Sequence, residues 1–323
     1  MTFNDYCGNK FAKELIKGFL KRKEFPHAIL LTGAKGIGKR TLAKIIAAAI
    51  VCTGSNEKPC GKCSSCIKSK KDSHPDIITY KGSDNAKSFH IKEIRSLISD
   101  CGILPNDGDK KVYILENSQN MTTQAQNALL KILEEPPGYV TIILTANSQE
   151  NLLPTIISRS LIIPLEYPGK NESVKCISQK CKKSDEEILT ALEISGGNIG
   201  KAIEYLEDKK FIQRYEFSLQ ILDAVCKKNE YELMILTGKF EKEKDLFLKT
   251  CEILSTVLSI CIEYKAIDEK NPQLKFKDIA DKLSFEQINR LILKITELLI
   301  SYNNFINKNI IYTLFSVKLR SAI

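Results

Sequence analysis

The stretch Ala28-Ile29-Leu30-Leu31-Thr32-Gly33-Ala34-Lys35-Gly36-Ile37-Gly38-Lys39-Arg40-Thr41 decides the fold class, because it joins an apolar run, a glycine-rich turn and the helical run Leu42 to Ile50. Strand, glycine-rich loop and helix in this order let backbone amides and a helix N-terminus surround phosphate oxygens. Gly33, Gly36, Gly38, Lys39 and Thr41 are therefore candidate nucleotide-binding residues, with Lys39 reaching the terminal phosphates. One position speaks against hydrolysis. The residue after the lysine should carry a hydroxyl for Mg²⁺, whereas Arg40 is a cation with no acceptor. Thr41 follows about 100° further round the helix and is not a simple substitute. Phosphate binding survives this change more readily than catalysis does.

Working outward, four more short β-branched runs alternate with helical patterns: Asp76 to Tyr80, Lys111 to Leu115, Thr141 to Thr145 and Leu161 to Ile163. Apolar runs without in/out alternation suit strands buried on both faces, so the first half is expected to be an α/β domain with a parallel sheet. After Tyr167-Pro168-Gly169 strand signals cease. A short helical region is expected from about Glu172 to Leu206, interrupted at Gly196-Gly197, and a second from about Phe211 onward with a polar break at Asp268 to Pro272. Ser284-Phe285-Glu286-Gln287 reads as a capping box opening a helix with Phe285, Ile288, Ile292, Ile295 and Leu299 on one face.

Cys52, Cys60, Cys63 and Cys66 form C-x7-C-x2-C-x2-C, with Pro59 and Gly61 bending the chain around the later thiols. Four thiolates suit a closed, structural zinc site, the alternatives being free thiols or a disulfide pair. The other seven cysteines, from Cys7 to Cys261, lack ligand spacing and read as small packing residues.

The strand Lys111 to Leu115 runs into Glu116-Asn117, where a P-loop ATPase would carry carboxylates for Mg²⁺ and for the attacking water. Asn117 cannot accept a proton as a carboxylate does. Next, Thr122 or Thr123 caps a helix whose stripe Ala125, Ala128, Leu129, Ile132 and Leu133 ends before Pro136-Pro137. Thr145 closes a strand where a hydroxyl can meet a phosphate, although alone it reads as an ordinary strand-end threonine. Arg159, within Ser158-Arg159-Ser160, is alone a solvated charge; on a subunit surface an arginine can stabilise phosphate charge on a neighbour. His27, His74 and His90 share no spacing and read as structural.

Composition bounds these readings. The chain has 323 residues, room for two or three domains, with 43% hydrophobic and 27% charged residues, so wholesale disorder is excluded. The formal charge of +9 is spread along the chain, including Lys21-Arg22-Lys23 and Lys68 to Lys71; it permits nucleic acid nearby without demonstrating it. No apolar run is long enough to span a bilayer, and the start lacks a basic segment followed by an apolar one, so a cytoplasmic address with reduced thiols is expected.

Together, the Walker-type loop, the four-cysteine insertion, Asn127-Ala128-Leu129-Leu130-Lys131-Ile132-Leu133-Glu134-Glu135-Pro136-Pro137 and Ser158-Arg159-Ser160 resemble the clamp-loader branch of the AAA+ ATPases, that of bacterial DNA polymerase III. The resemblance covers about residues 3–206; the helical remainder is similar to the collar of that family in texture and length. It implies a P-loop AAA+ parallel-sheet domain with a zinc module at 1–167, a small helical lid domain at 168–208 and an all-α collar domain at 209–323. It further implies a part in loading the sliding clamp onto primed DNA, within the DNA-directed DNA polymerase (nucleotidyltransferase) holoenzyme, alongside gamma/tau and delta subunits. Thr145 falls at the position called sensor 1. Motor subunits of the gamma/tau type carry a Thr after the lysine, an Asp-Glu pair and a sensor arginine; here Arg40, Glu116-Asn117 and Gly200 stand there. The pattern resembles the non-hydrolysing delta-prime type, with Arg159 as a finger supplied in trans, Zn²⁺ as a structural ion and ATP or ADP bound passively if at all. A hydrolysing gamma/tau-type motor and an unrelated P-loop enzyme are the alternatives.

Overall fold

The computed structural model describes residues 1–22, 24–54, 57–81, 89, 91–241, 243–266, 276–304 and 308–323. The break expected at Asp268 to Pro272, together with Lys23 and His90, lies outside them. The chain separates into two compact units. One comprises Met1–Lys180 with Gly197–Gly200, the other Cys181–Gly196 with Lys201–Ile323.

In chain order the first unit contains α1 (Lys10–Arg22), β1 (Ala28–Thr32), α2 (Lys39–Ile50), α3 (Ser64–Lys70), β2 (Ile77–Lys81), α4 (Ile91–Cys101), β3 (Lys111–Glu116), α5 (Thr123–Glu134), β4 (Val140–Ala146), α6 (Pro154–Ser158), β5 (Leu161–Pro164) and α7 (Lys170–Ser178). All five predicted strands form, in one parallel sheet of order β2-β3-β4-β1-β5. The central strands β1, β3 and β4 are buried along their whole length, while the edge strands β2 and β5 are partly exposed. The two-residue period sends alternate side chains to opposite faces. Ile29 and Leu31 of β1 join Val112, Ile114 and Ile143 against Ile16 of α1 and Leu42 of α2. Leu30 joins Tyr113, Leu115, Ile142 and Leu144 against Leu97 of α4 and Leu129 of α5. Unbroken apolar strands are thus explained by two helical layers, one on each face.

The second unit is helical: α8 (Asp185–Ile194), most of α9 (Ile199–Glu207), α10 (Phe211–Cys226), α11 (Glu230–Thr237), α12 (Lys244–Ala266), α13 (Lys277–Lys282), α14 (Phe285–Asn304) and α15 (Lys308–Arg320). Phe240 anchors it, with ring centroids 5.3 Å from Phe315, 5.4 Å from Phe247 and 5.6 Å from Tyr312. The region Glu172 to Leu206 has one more break than expected. Helix α7 stops at Ser178, and Ser184 with Glu187 forms a reciprocal cap that starts α8.

The cap at Ser284 forms as read, Gln287 N–H donating to Ser284 Oγ at 3.1 Å and Ser284 N–H to Gln287 Oε1 at 2.8 Å. The face it opens is rotated from the expected one. Ile288, Leu291, Ile295, Leu298 and Tyr302 are buried, whereas Phe285 is exposed. Periodicity sets the spacing of an apolar stripe; packing partners set its phase. No helix among the described residues is long and apolar enough to cross a membrane.

Candidate functional site

The phosphate loop connects β1 to α2. Gly36 has φ +84°, and a Cβ there would lie 2.4 Å from Asn198 Oδ1; Gly38, the N-cap of α2, has φ +96° with the Tyr6 ring 2.9 Å from where a Cβ would stand. Gly36→Ala is expected to cost about 1–2 kcal/mol from the left-handed backbone alone, seen as a lowered urea midpoint. The segment around Asn198 lies against this loop: Asn198 Nδ2 donates to the Lys35 carbonyl, and a Cβ on Gly200 would be 2.9 Å from the Gly36 carbonyl oxygen. At the position where the resemblance places a motor's sensor arginine, the backbone itself touches the loop.

Lys39 is 8% exposed, and its ammonium donates to Gly33 O (2.6 Å), Ala34 O (2.9 Å) and Asn147 Oδ1 (2.9 Å). Burial pushes its pKa down to about 8. The unfolded chain keeps that proton up to the ordinary lysine value of about 10.4. It therefore binds more protons than the folded chain between these two values, and stability gains a component that rises with pH across that window. Lys39→Met should lack this rise; parallel urea midpoints for both proteins from pH 7 to 10 would contradict it.

Arg40 Nε lies 2.7 Å from Glu116 Oε1, an ion contact whose geometry falls short of a hydrogen bond. Burial raises the Glu116 pKa, with Arg40, Lys81 and Lys44 opposing it. Asn117 adopts a left-handed backbone at φ +58° and donates its N–H to Thr145 Oγ1 at 3.1 Å. The structure thus brings Arg40 to Glu116, Asn117 to Thr145, and Lys39 to Asn147. Thr41 is half-buried on the first turn of α2. An arginine beside the carboxylate that ends β3 supplies positive charge where a divalent cation would need acceptors.

Arg159 caps the C-terminus of α6, with Nη2 2.9 Å from Glu134 Oε1 and Nη1 donating to Thr155 O at 3.3 Å. Its side chain is 37% exposed, so the guanidinium faces solvent at a defined place. Two polar residues that sequence reasoning missed position these groups. Asn147 is an acceptor for Lys39. Gln126, 4% exposed, donates through Nε2 to Asn151 O at 2.9 Å and accepts from Leu153 N–H at 2.8 Å, bracing the turn into α6. A glutamine interrupting the apolar stripe of α5 was the available signal for Gln126.

The four cysteines meet: their sulfurs all lie within 4.8 Å of one another, with Cys52 and Cys66 buried and Cys60 and Cys63 half-buried. Backbone amides donate to the sulfurs, Cys63 N–H to Cys60 and Cys66 N–H to Cys63, each at 3.4 Å. Burial raises the Cys52 and Cys66 thiols. At Cys63 burial also acts upward but is outweighed by donors from Cys66 and Thr53, which hold the thiol at about 5. Four converging, amide-supported thiols are a donor set that fits a tetrahedral soft-metal site.

The family profile described as "DNA polymerase III, delta subunit" matches residues 8–168. DNA polymerase III subunit gamma of Buchnera aphidicola subsp. Baizongia pistaciae is 31% identical over 291 residues, 89% of this chain and 72% of that protein. DNA polymerase III subunit delta' of Haemophilus influenzae is 28% identical over 285 residues, 86% of this chain and 85% of that protein. A DNA polymerase III gamma subunit-related protein from Thermotoga maritima has 16% identity and a TM-score of 0.47, with 95% of this chain and 99% of that one covered. With relatives named gamma and delta' aligned along most of its length, this chain belongs to the family of DNA polymerase III clamp-loader subunits.

Proposed function

We propose that this chain is the non-hydrolysing, delta-prime-type subunit of the loader, serving a neighbour's ATP rather than its own. The observation that carries this reading is the 2.7 Å contact of Arg40 with Glu116, which commits the strand-end carboxylate to a side-chain cation. With Asn117 beside it, the site offers neither a free pair of carboxylates for Mg²⁺ nor a base for water. Gly33, Gly36, Gly38, Lys39 and Thr41 form a loop that holds ATP or ADP passively or not at all. Arg159 supplies a planar fork of donors for charge that develops on γ-phosphate oxygens in an adjacent gamma/tau subunit.

In this reading residues 1–167 are the AAA+ domain, 168–208 its lid and 209–323 the collar through which the chain joins gamma/tau and delta subunits. The sliding clamp and primed DNA are reached through that assembly. Cys52, Cys60, Cys63 and Cys66 hold Zn²⁺, which when bound cross-links the chain between α2 and α3.

The test is a steady-state ATPase assay on the isolated chain with Mg²⁺ and primed DNA. No turnover is expected, and sustained phosphate release would overturn the reading. Lys39→Ala, in the assembled loader, should leave total turnover nearly unchanged. The second reading, a gamma-type motor, is favoured by the gamma-named relative aligned over 89% of this chain and by the retention of Lys39 and Thr41. The same assay separates the two.

A further inference from the structure

A cavity of about 230 Å³ opens beside Arg40, its lining including Arg40 and Lys44 of α2, Asp72 and His74 of the α3–β2 connection, and Thr79 and Lys81 of β2. Lys39 of the phosphate loop is not among its lining residues. His74 is 5% exposed, and its Nδ1 accepts from Asp76 N–H at 3.1 Å. The ring proton of the neutral imidazole therefore sits on Nε2, a buried donor with no partner. An unpaired buried donor is costly and calls for an acceptor.

The charges lining the cavity point to the sign of that acceptor. Three cations line the cavity against one carboxylate, and that carboxylate is engaged: Lys44 Nζ donates to Asp72 Oδ1 at 2.6 Å. Glu116, just beyond, is already in contact with Arg40. With Lys44 set against Asp72 and Arg40 against Glu116, one positive charge among the described residues remains in excess, that of Lys81 on an exposed strand end. Donor side chains from a helix, a connecting loop and a strand line the cavity, a set that suits the several acceptor oxygens of a phosphate.

We infer that this cavity is an anion site for a terminal phosphate, either a free phosphate ion or a phosphomonoester, which accepts from His74 Nε2 and balances Lys81. It is separate from the phosphate loop and stands whether or not the chain hydrolyses ATP.

The test is titration of inorganic phosphate into the full-length, zinc-loaded chain at low ionic strength, followed by the imidazole nitrogen resonances of His74. One saturable equivalent should shift Nε2. Lys81→Gln should weaken that response about tenfold, the scale of one charge-assisted contact, with an unchanged melting temperature, while Lys39→Ala leaves it intact. Absence of a saturable His74 response overturns the site. So does a response lost in Lys39→Ala but kept in Lys81→Gln, which would put the ion in the phosphate loop. A 5′-phosphorylated oligonucleotide and its 5′-hydroxyl twin then identify the source. Displacement of phosphate by the first alone supports a nucleic-acid end, and displacement by neither supports the free ion. Equal displacement by both overturns the assignment to a terminal phosphate.

Discussion

Arg159→Ala, placed in a reconstituted loader, is expected to slow ATP hydrolysis at the adjacent site by on the order of 10³. The same change should alter this chain's stability by under about 0.5 kcal/mol. The first number rests on the proposed role of Arg159 as a finger in trans, the second on where the side chain sits. The Arg159 side chain is 37% exposed, and that of its partner Glu134 is 49% exposed, so their 2.9 Å contact is a surface pair worth little to folding. The same exposure at the C-cap of α6 leaves the planar fork available to a neighbouring subunit. Arg159→Lys keeps the charge but loses the paired donors, and should recover only part of the rate. The measurement is single-turnover hydrolysis with the assembly's composition verified, because steady-state turnover falls only by the share of the site affected. Wild-type rates at every site, in an intact complex carrying the alanine, would remove Arg159 from the mechanism.

Removing the metal from the cysteine cluster should have the largest effect on stability. Cys63→Ser, or treatment with a strong chelator, is expected to release one equivalent of zinc and to lower unfolding stability by about 4 kcal/mol or more. Four sulfurs within 4.8 Å of one another are held there by amide donors and by the burial of Cys52 and Cys66. Without a cation, thiolates brought this close repel, and the thiols of Cys52 and Cys66 stay protonated because burial raises their pKa. Cys101→Ser is the control: Cys101 is buried in the core at the C-terminal end of α4 and belongs to no such cluster among the described residues. A preparation that folds and melts identically with and without zinc would exclude a structural metal.

Much of the site was legible in the chain because its parts are contiguous. The β1–loop–α2 passage and the cysteines from 52 to 66 each fall within a short segment, where spacing alone brings groups together. The cap at Thr122, accepting from Ala125 N–H at 3.2 Å, and the stripe it opens are equally local. Gln126 was missed because two of its partners belong to the turn before α6, 25 and 27 residues away. His74 read as an isolated histidine for the same reason, its surroundings being supplied by α2 and β2.

The amino-acid order by itself determined five apolar strands, a phosphate loop with Arg40 in place of a hydroxyl, and a four-thiol cluster, since hydrophobic period and short-range spacing are properties of neighbouring residues. Only the tertiary structure decided that Arg40 meets Glu116, that Asn198 meets Lys35 from 163 residues away, and which face of α14 turns inward. Those contacts depend on how layers pack. The free energy of burying apolar surface chooses among packings as a whole, and no local pattern records the outcome.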